Sequence, residues 1–132
     1  MTTRQATIAI LVALSGMAQA HALAVTSKAA CVLPVADGGE ERPSKPNIDG
    51  VITQARGSSI EVESTDKVRH ALRLDERSHL FTVYGGRVSA KALVPGQAVR
   101  IWFVNCDPPK AGQQGRVAVL MLASQKAGEG WP

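Results

Sequence analysis

The amino-acid sequence predicts an all-β fold, a small sandwich or barrel, and three observations carry that expectation. Beyond Asn47 the apolar residues recur in short segments with a period of two, as half-buried strands require. Turn-forming residues separate those segments at close spacing. No apolar period of 3.6 persists for more than two turns, which excludes a helical bundle. The folded unit is read as residues 48–124, preceded by an irregular arm over 21–47 and followed by a flexible polar tail over 125–132.

Residues 48–55 give the first expected strand, and Arg56-Gly57-Ser58 turns the chain into residues 59–64. In that second strand Ile60 and Val62 share one face, leaving Glu61 and Glu63 to water. A three-residue loop, Thr65-Asp66-Lys67, leads into residues 68–74, where Val68, His70 and Leu72 share one parity and Arg69, Ala71 and Arg73 the other. The expected register sets Val62 opposite Val68 and Glu61 opposite Arg69, so that apolar meets apolar and acid meets base. Residues 79–84 are apolar on both parities and end at Gly85-Gly86. Ser89 is a capping residue for one helical turn over 89–93, which stops before Val94-Pro95-Gly96. Residues 97–104 form the clearest strand, with Val99, Ile101 and Phe103 inward and Arg100 and Trp102 outward. Residues 105–115 read as a turn-rich loop, and residues 116–124 as a last strand, apolar on both sides like a central one.

The N-terminus defines a compartment. Arg4 precedes an apolar run, Ala6 to Leu14, too short for a permanent membrane anchor, and Ala18-Gln19-Ala20 offers the small residues a signal peptidase needs. Residues 1–20 are therefore expected to be a cleaved signal peptide, and the mature protein to be periplasmic or secreted. No later apolar run is long enough to span a bilayer, so no transmembrane anchor is expected after cleavage. In an oxidising compartment the two cysteines, Cys31 and Cys106, are most simply a disulfide that staples the arm to the folded unit. A redox or metal pair would call for a Cys-x-x-Cys spacing that is absent. Loss of Arg4 leaves 14 basic against 11 acidic residues, a net charge of +3. That balance suits an anionic partner but falls short of the clustered Lys and Arg of a nucleic-acid surface, so no nucleic acid is expected.

Gly50-Val51-Ile52, Ser59-Ile60-Glu61-Val62, Leu72-Arg73-Leu74, Leu93-Val94-Pro95-Gly96-Gln97-Ala98-Val99-Arg100-Ile101 and Val117-Ala118-Val119-Leu120 together resemble the OB-like small barrels of exported bacterial proteins. The resemblance covers about residues 48–124 and rests on turn and core positions. It implies a five-stranded OB-like barrel with one short helical turn, preceded by a cleaved signal helix and the irregular arm. More distantly the pattern is similar to periplasmic copper-chaperone barrels, which hold the metal through a His, two Met and a stacked Trp. The matching residue types here are His70 and His79 on central segments and Met121, since Met1 and Met17 leave with the signal peptide.

No catalytic set assembles from the sequence, and neither an enzyme nor a cofactor is expected. Glu61 and Glu63 are answered by Arg69 and Arg73 across the hairpin as surface ion pairs. Ser58, Ser59 and Ser89 lack a His or Asp in any nucleophile motif. Arg100 and Trp102, projecting outward two residues apart, with Arg69 and Arg73, form the candidate ligand-binding set. An aromatic beside guanidiniums can stack on a ring and hold an anion. The competing expectation is that the arm, brought close by Cys31–Cys106, covers Trp102. The function expected is a non-enzymatic exported module that contacts a protein or glycan partner in the cell envelope through the Arg100/Trp102 face or the 105–115 loop. The alternative is a copper carrier or sensor using His70, His79 and Met121.

Overall fold

The computed structural model describes residues 30–132, so the expected signal peptide lies outside the described residues. Six strands follow one another: β1 (Ile48–Arg56), β2 (Ser59–Ser64), β3 (Arg69–Arg73), β4 (His79–Thr82), β5 (Ala98–Phe103) and β6 (Gly115–Leu122). Two single 3-10 turns, Ala90–Ala92 and Val104–Cys106, are the helical elements among the described residues. No helix there is long and apolar enough to cross a membrane. The sheet runs β3-β2-β1-β5-β6, and a parallel pairing of β3 with β6 closes it into a five-stranded OB-like barrel.

The sixth strand comes from the segment with apolar residues on both parities. β4 pairs parallel to the second half of β6, from His79 opposite Val119 to Thr82 opposite Leu122. β3 uses the same edge of β6 but only at its start, Leu72 opposite Gly115 and Arg73 opposite Arg116. β3 and β4 are thus one interrupted neighbour of β6, and side chains replace the missing rungs of the ladder. Ser78 Oγ donates to the Val117 carbonyl at 2.5 Å, and Arg116 Nε donates to Asp75 Oδ2 at 2.5 Å.

The hairpin loop has the expected three residues, but the register differs. Thr65-Asp66-Lys67 closes Ser64 directly onto Val68, with a 2.8 Å bond from the Ser64 N–H to the Val68 carbonyl and Lys67 at φ 67°. Val62 then faces His70, Glu63 faces Arg69 and Glu61 faces Ala71. A three-residue loop joins the residues that flank it, so the partners move two places from those expected. A shift of two keeps every side chain on its own face. Val68 is left at the loop, half-exposed.

The barrel interior holds Ile52, Ile60, Val62, Leu72, Val99, Ile101, Phe103, Val117, Leu120 and Leu122. Gly50 is required where β1 crosses β2, because a Cβ there would lie 2.2 Å from the Glu63 carbonyl oxygen. Bulges at Thr53 and Ala118 bend β1 and β6 and keep their apolar residues aimed inward. Ser89 caps the turn before β5 as expected, accepting from the Lys91 N–H at 3.3 Å. The fully buried Gln97 then ties that corner: Val94 N–H donates to its Oε1 at 2.9 Å, and its Nε2 donates to the Gln125 carbonyl at 2.8 Å. The segment read from composition as a flexible tail is tied further by Gly128 N–H on the Gly96 carbonyl, at 2.9 Å.

A second apolar cluster lies outside the barrel wall. Trp102, Phe81 and Val119 are buried there beneath Leu33 and Ala36 of the arm, with Cys106 and Met121 alongside. The two clusters explain why β4 and β6 are apolar on both parities: Leu80, Leu120 and Leu122 face one core, Phe81, Val119 and Met121 the other. The Cys31–Cys106 disulfide anchors the arm, its Cα atoms 5.6 Å apart. Val32 and Ser44 pinch the arm into a loop through two hydrogen bonds of 2.8 and 2.9 Å. Asn47 completes the seam, donating to the Cys106 carbonyl and accepting from the Phe103 N–H.

Candidate functional site

The incomplete β3–β6 pairing builds the site. Because β6 meets β3 only at Leu72 and Arg73, the first residues of β3 have no strand beside them on that side. The space is flanked by residues of the β5–β6 loop, which leaves a groove of about 430 Å3 lined by Arg69, His70, Ala71, Leu72 and Phe103 on the barrel side and Pro109, Gly112, Gln113 and Gln114 on the loop side. The rim is held close by Gly115, where a Cβ would sit 2.5 Å from the Phe103 ring. Gln114 Nε2 reaches over to Ser59 Oγ at 3.3 Å, fixing the loop's exit. The lining contains no carboxylate, one guanidinium, one imidazole and two amides.

Beside the groove, Ser64, Asp66 and His70 come together. Ser64 Oγ lies against Asp66 Oδ1, with the Val68 carbonyl at 3.0 Å and His70 Nε2 at 3.3 Å. The hydroxyl of Ser64 holds the Asp66 carboxyl below the usual carboxylate range. The residue types are those of a nucleophile set, but the order is wrong. A catalytic relay needs the carboxylate on the far nitrogen of the imidazole and the serine proton directed at the near one. Here the serine is itself bonded to the carboxylate, and the Val68 carbonyl and His70 Nε2 lie around the same hydroxyl oxygen. The arrangement orders the hairpin loop and aims His70 at the groove.

The candidate ligand-binding residues separate in the structure. Trp102 projects outward from β5 as expected, yet it is only 3% exposed, covered by the arm, and its Nε1 donates to the Ser44 carbonyl at 2.8 Å. Arg100 lies on the same outer face, half-buried, with Asp49 Oδ2 at 3.3 Å and its guanidinium carbon 4.0 Å from the centre of the Trp131 ring. Arg69 and Arg73 stand on β3, separated from β5 by β2 and β1 on one side and β6 on the other. Arg69 makes the expected ion pairs with Glu61 and Glu63, at 3.5 and 3.7 Å, whereas Arg73 faces Ser59 and Arg116. Of the four, only Arg69 lines the groove.

The metal candidates also lie apart in role. His70 belongs to the groove, His79 is exposed at the start of β4, and Met121 packs in the outer cluster under the arm. Among the described residues no three His, Cys, Asp or Glu side chains converge as metal ligands. Sequence reasoning named the 105–115 loop but not Gln113 and Gln114, and it missed Ser64 and Trp131. A Ser-x-Asp spacing at a hairpin loop was the available signal for Ser64. Nothing local marks Trp131 as the partner of Arg100.

These features define the described residues as an all-β fold, a closed five-stranded barrel of OB-like connectivity with a disulfide-anchored arm and a lateral groove. No family model matches the chain, and neither a curated protein nor a solved structure matches it.

Proposed function

We propose that this protein is an exported, non-enzymatic binding module of the cell envelope, and that it holds its partner in the groove between β3 and residues 107–114. The observation that carries the reading is the groove itself: a cavity of about 430 Å3 at a gap in the barrel wall, with Arg69, His70, Gln113 and Gln114 beside the apolar Leu72 and Phe103. A mixture of a few convergent polar groups with apolar walls is what a recognition site requires. The disulfide suits an oxidising compartment. The copper-carrier alternative has less support, because His70, His79 and Met121 occupy three separate environments.

The reading is tested by retention of envelope proteins and glycan fragments on the immobilised protein, compared with a variant carrying Arg69→Glu and Gln113→Ala. Partners retained by the parent and lost by the variant support the groove. Equal retention by both removes it, and stoichiometric Cu(I) binding lost with His70→Ala would favour the metal carrier instead.

A further inference from the structure

The strand pairing around the groove specifies a chemical class of partner. In the β2–β3 hairpin, Ser64 N–H bonds to the Val68 carbonyl and Leu74 N–H bonds to the Ser58 carbonyl. These two bonds fix the alternation of the antiparallel ladder: residues 68, 70, 72 and 74 turn their peptide groups toward β2, and residues 69, 71 and 73 turn theirs away. The parallel pairing of Leu72 with Gly115 takes the Ala71 carbonyl and the Arg73 N–H. What remains on the open edge is the Arg69 N–H, the Arg69 carbonyl and the Ala71 N–H. All three border the groove, whose opposite wall is a loop and not a strand.

A strand edge with free donors and acceptors is a template for another strand. We infer that the groove takes an extended peptide segment of a partner protein, which adds to the Arg69–Ala71 edge and prolongs the ladder that β6 begins at Gly115. The inference rests on the groove being the binding site. An added strand would alternate its side chains between two environments. Those turned inward would meet Leu72 and Phe103, and those turned outward would meet Arg69, with Ala71 too small to obstruct them. The groove lining has no carboxylate, and the Arg69 side chain is 70% exposed with ion-pair distances of 3.5 Å and longer. Such exposed pairs are weak enough to exchange for a new one. Charge complementarity therefore selects a peptide alternating apolar and acidic residues.

Ala71→Pro is the decisive variant. It deletes an N–H that points into the groove and leaves the bonds to β2 in place, and an edge position is where a strand tolerates proline. The probe is a random heptapeptide display library selected on the purified protein with its disulfide intact. Recovered sequences should alternate apolar with acidic residues, and their affinity should fall about tenfold with Ala71→Pro and about tenfold when the peptide's own strand-pairing amides are N-methylated. Unchanged circular dichroism and melting for Ala71→Pro verify that the variant is folded, and should it unfold, the N-methylated peptides carry the test. The strand-addition assignment fails if no peptide is enriched over Ala71→Pro, or if N-methylation leaves binding intact. Envelope glycans retained by the parent and lost with Arg69→Glu, in the absence of any peptide, would overturn this inference while leaving the binding-module reading standing.

Discussion

On the outer face of β5 a large aromatic is hidden, whereas along β3 a stretch of plain backbone is open. Trp102 is sealed by the arm, its indole N–H spent on Ser44 and its ring packed with Phe81 and Val119. The β3 edge has neither arm nor strand over Arg69 and Ala71. Both surfaces belong to the same barrel and differ only in what the rest of the chain does to them. The outward aromatic marks the place where the arm docks, and the open backbone marks the place where ladder pairing stops.

The largest effect should come from releasing the arm. Cys31→Ser with Cys106→Ser opens a link spanning 75 residues, and the chain-entropy cost of that freedom is about 4 kcal/mol of stability. In a Trp131→Phe background, acrylamide should quench Trp102 weakly in the oxidised protein and strongly in the double variant. Strong quenching in the oxidised protein would mean that the arm does not cover the indole.

Next in size is Trp102→Ala, expected to cost about 3 kcal/mol by emptying the centre of the outer cluster. Partner binding in the groove should be unchanged per folded molecule, since Trp102 does not line it. If binding disappears while the melting temperature holds, Trp102 is a contact residue and the contrast between the two faces collapses.

The barrel was legible in the sequence because its determinants are local. Ile60 and Val62 alternate with Glu61 and Glu63, Val99, Ile101 and Phe103 alternate with Arg100 and Trp102, and turn residues bound each run. The disulfide was legible from the cysteine count and the compartment expected from the sequence. What escaped is mostly non-local: the β3–β6 pairing depends on strands more than forty residues apart. The hairpin register is the exception, a local feature fixed once the three-residue loop closes Ser64 onto Val68, two places from the expected partners. The groove is a consequence of where that pairing ends, so it has no motif. Arg100 and Trp102 are adjacent in outward position, but one is stacked on Trp131 and the other is buried, and both outcomes are set by the chain's ends.

The smallest effect tests the hinge between the closed and the open part of the β6 edge. Asp75 lies in the connection from β3 to β4 and accepts from Arg116 Nε and Arg77 N–H, with the Ser78 hydroxyl oxygen 3.4 Å away. The Arg116 guanidinium, first among these, holds its carboxyl below the usual carboxylate range. A carboxyl whose pKa is lower folded than unfolded adds stability above the unfolded value, and that stability fades as pH falls through the folded value. Urea midpoints of the parent should therefore drop between about pH 5 and about pH 2 more steeply than those of Asp75→Asn, and the two proteins should converge at the acid end. Because the pair is partly exposed, the difference should also shrink in about 1 M salt. A parent and a variant with parallel acid limbs would mean that Asp75 is no anchor of the β3–β4 connection, and that the groove's edge is held in place by the Leu72 and Arg73 rungs alone.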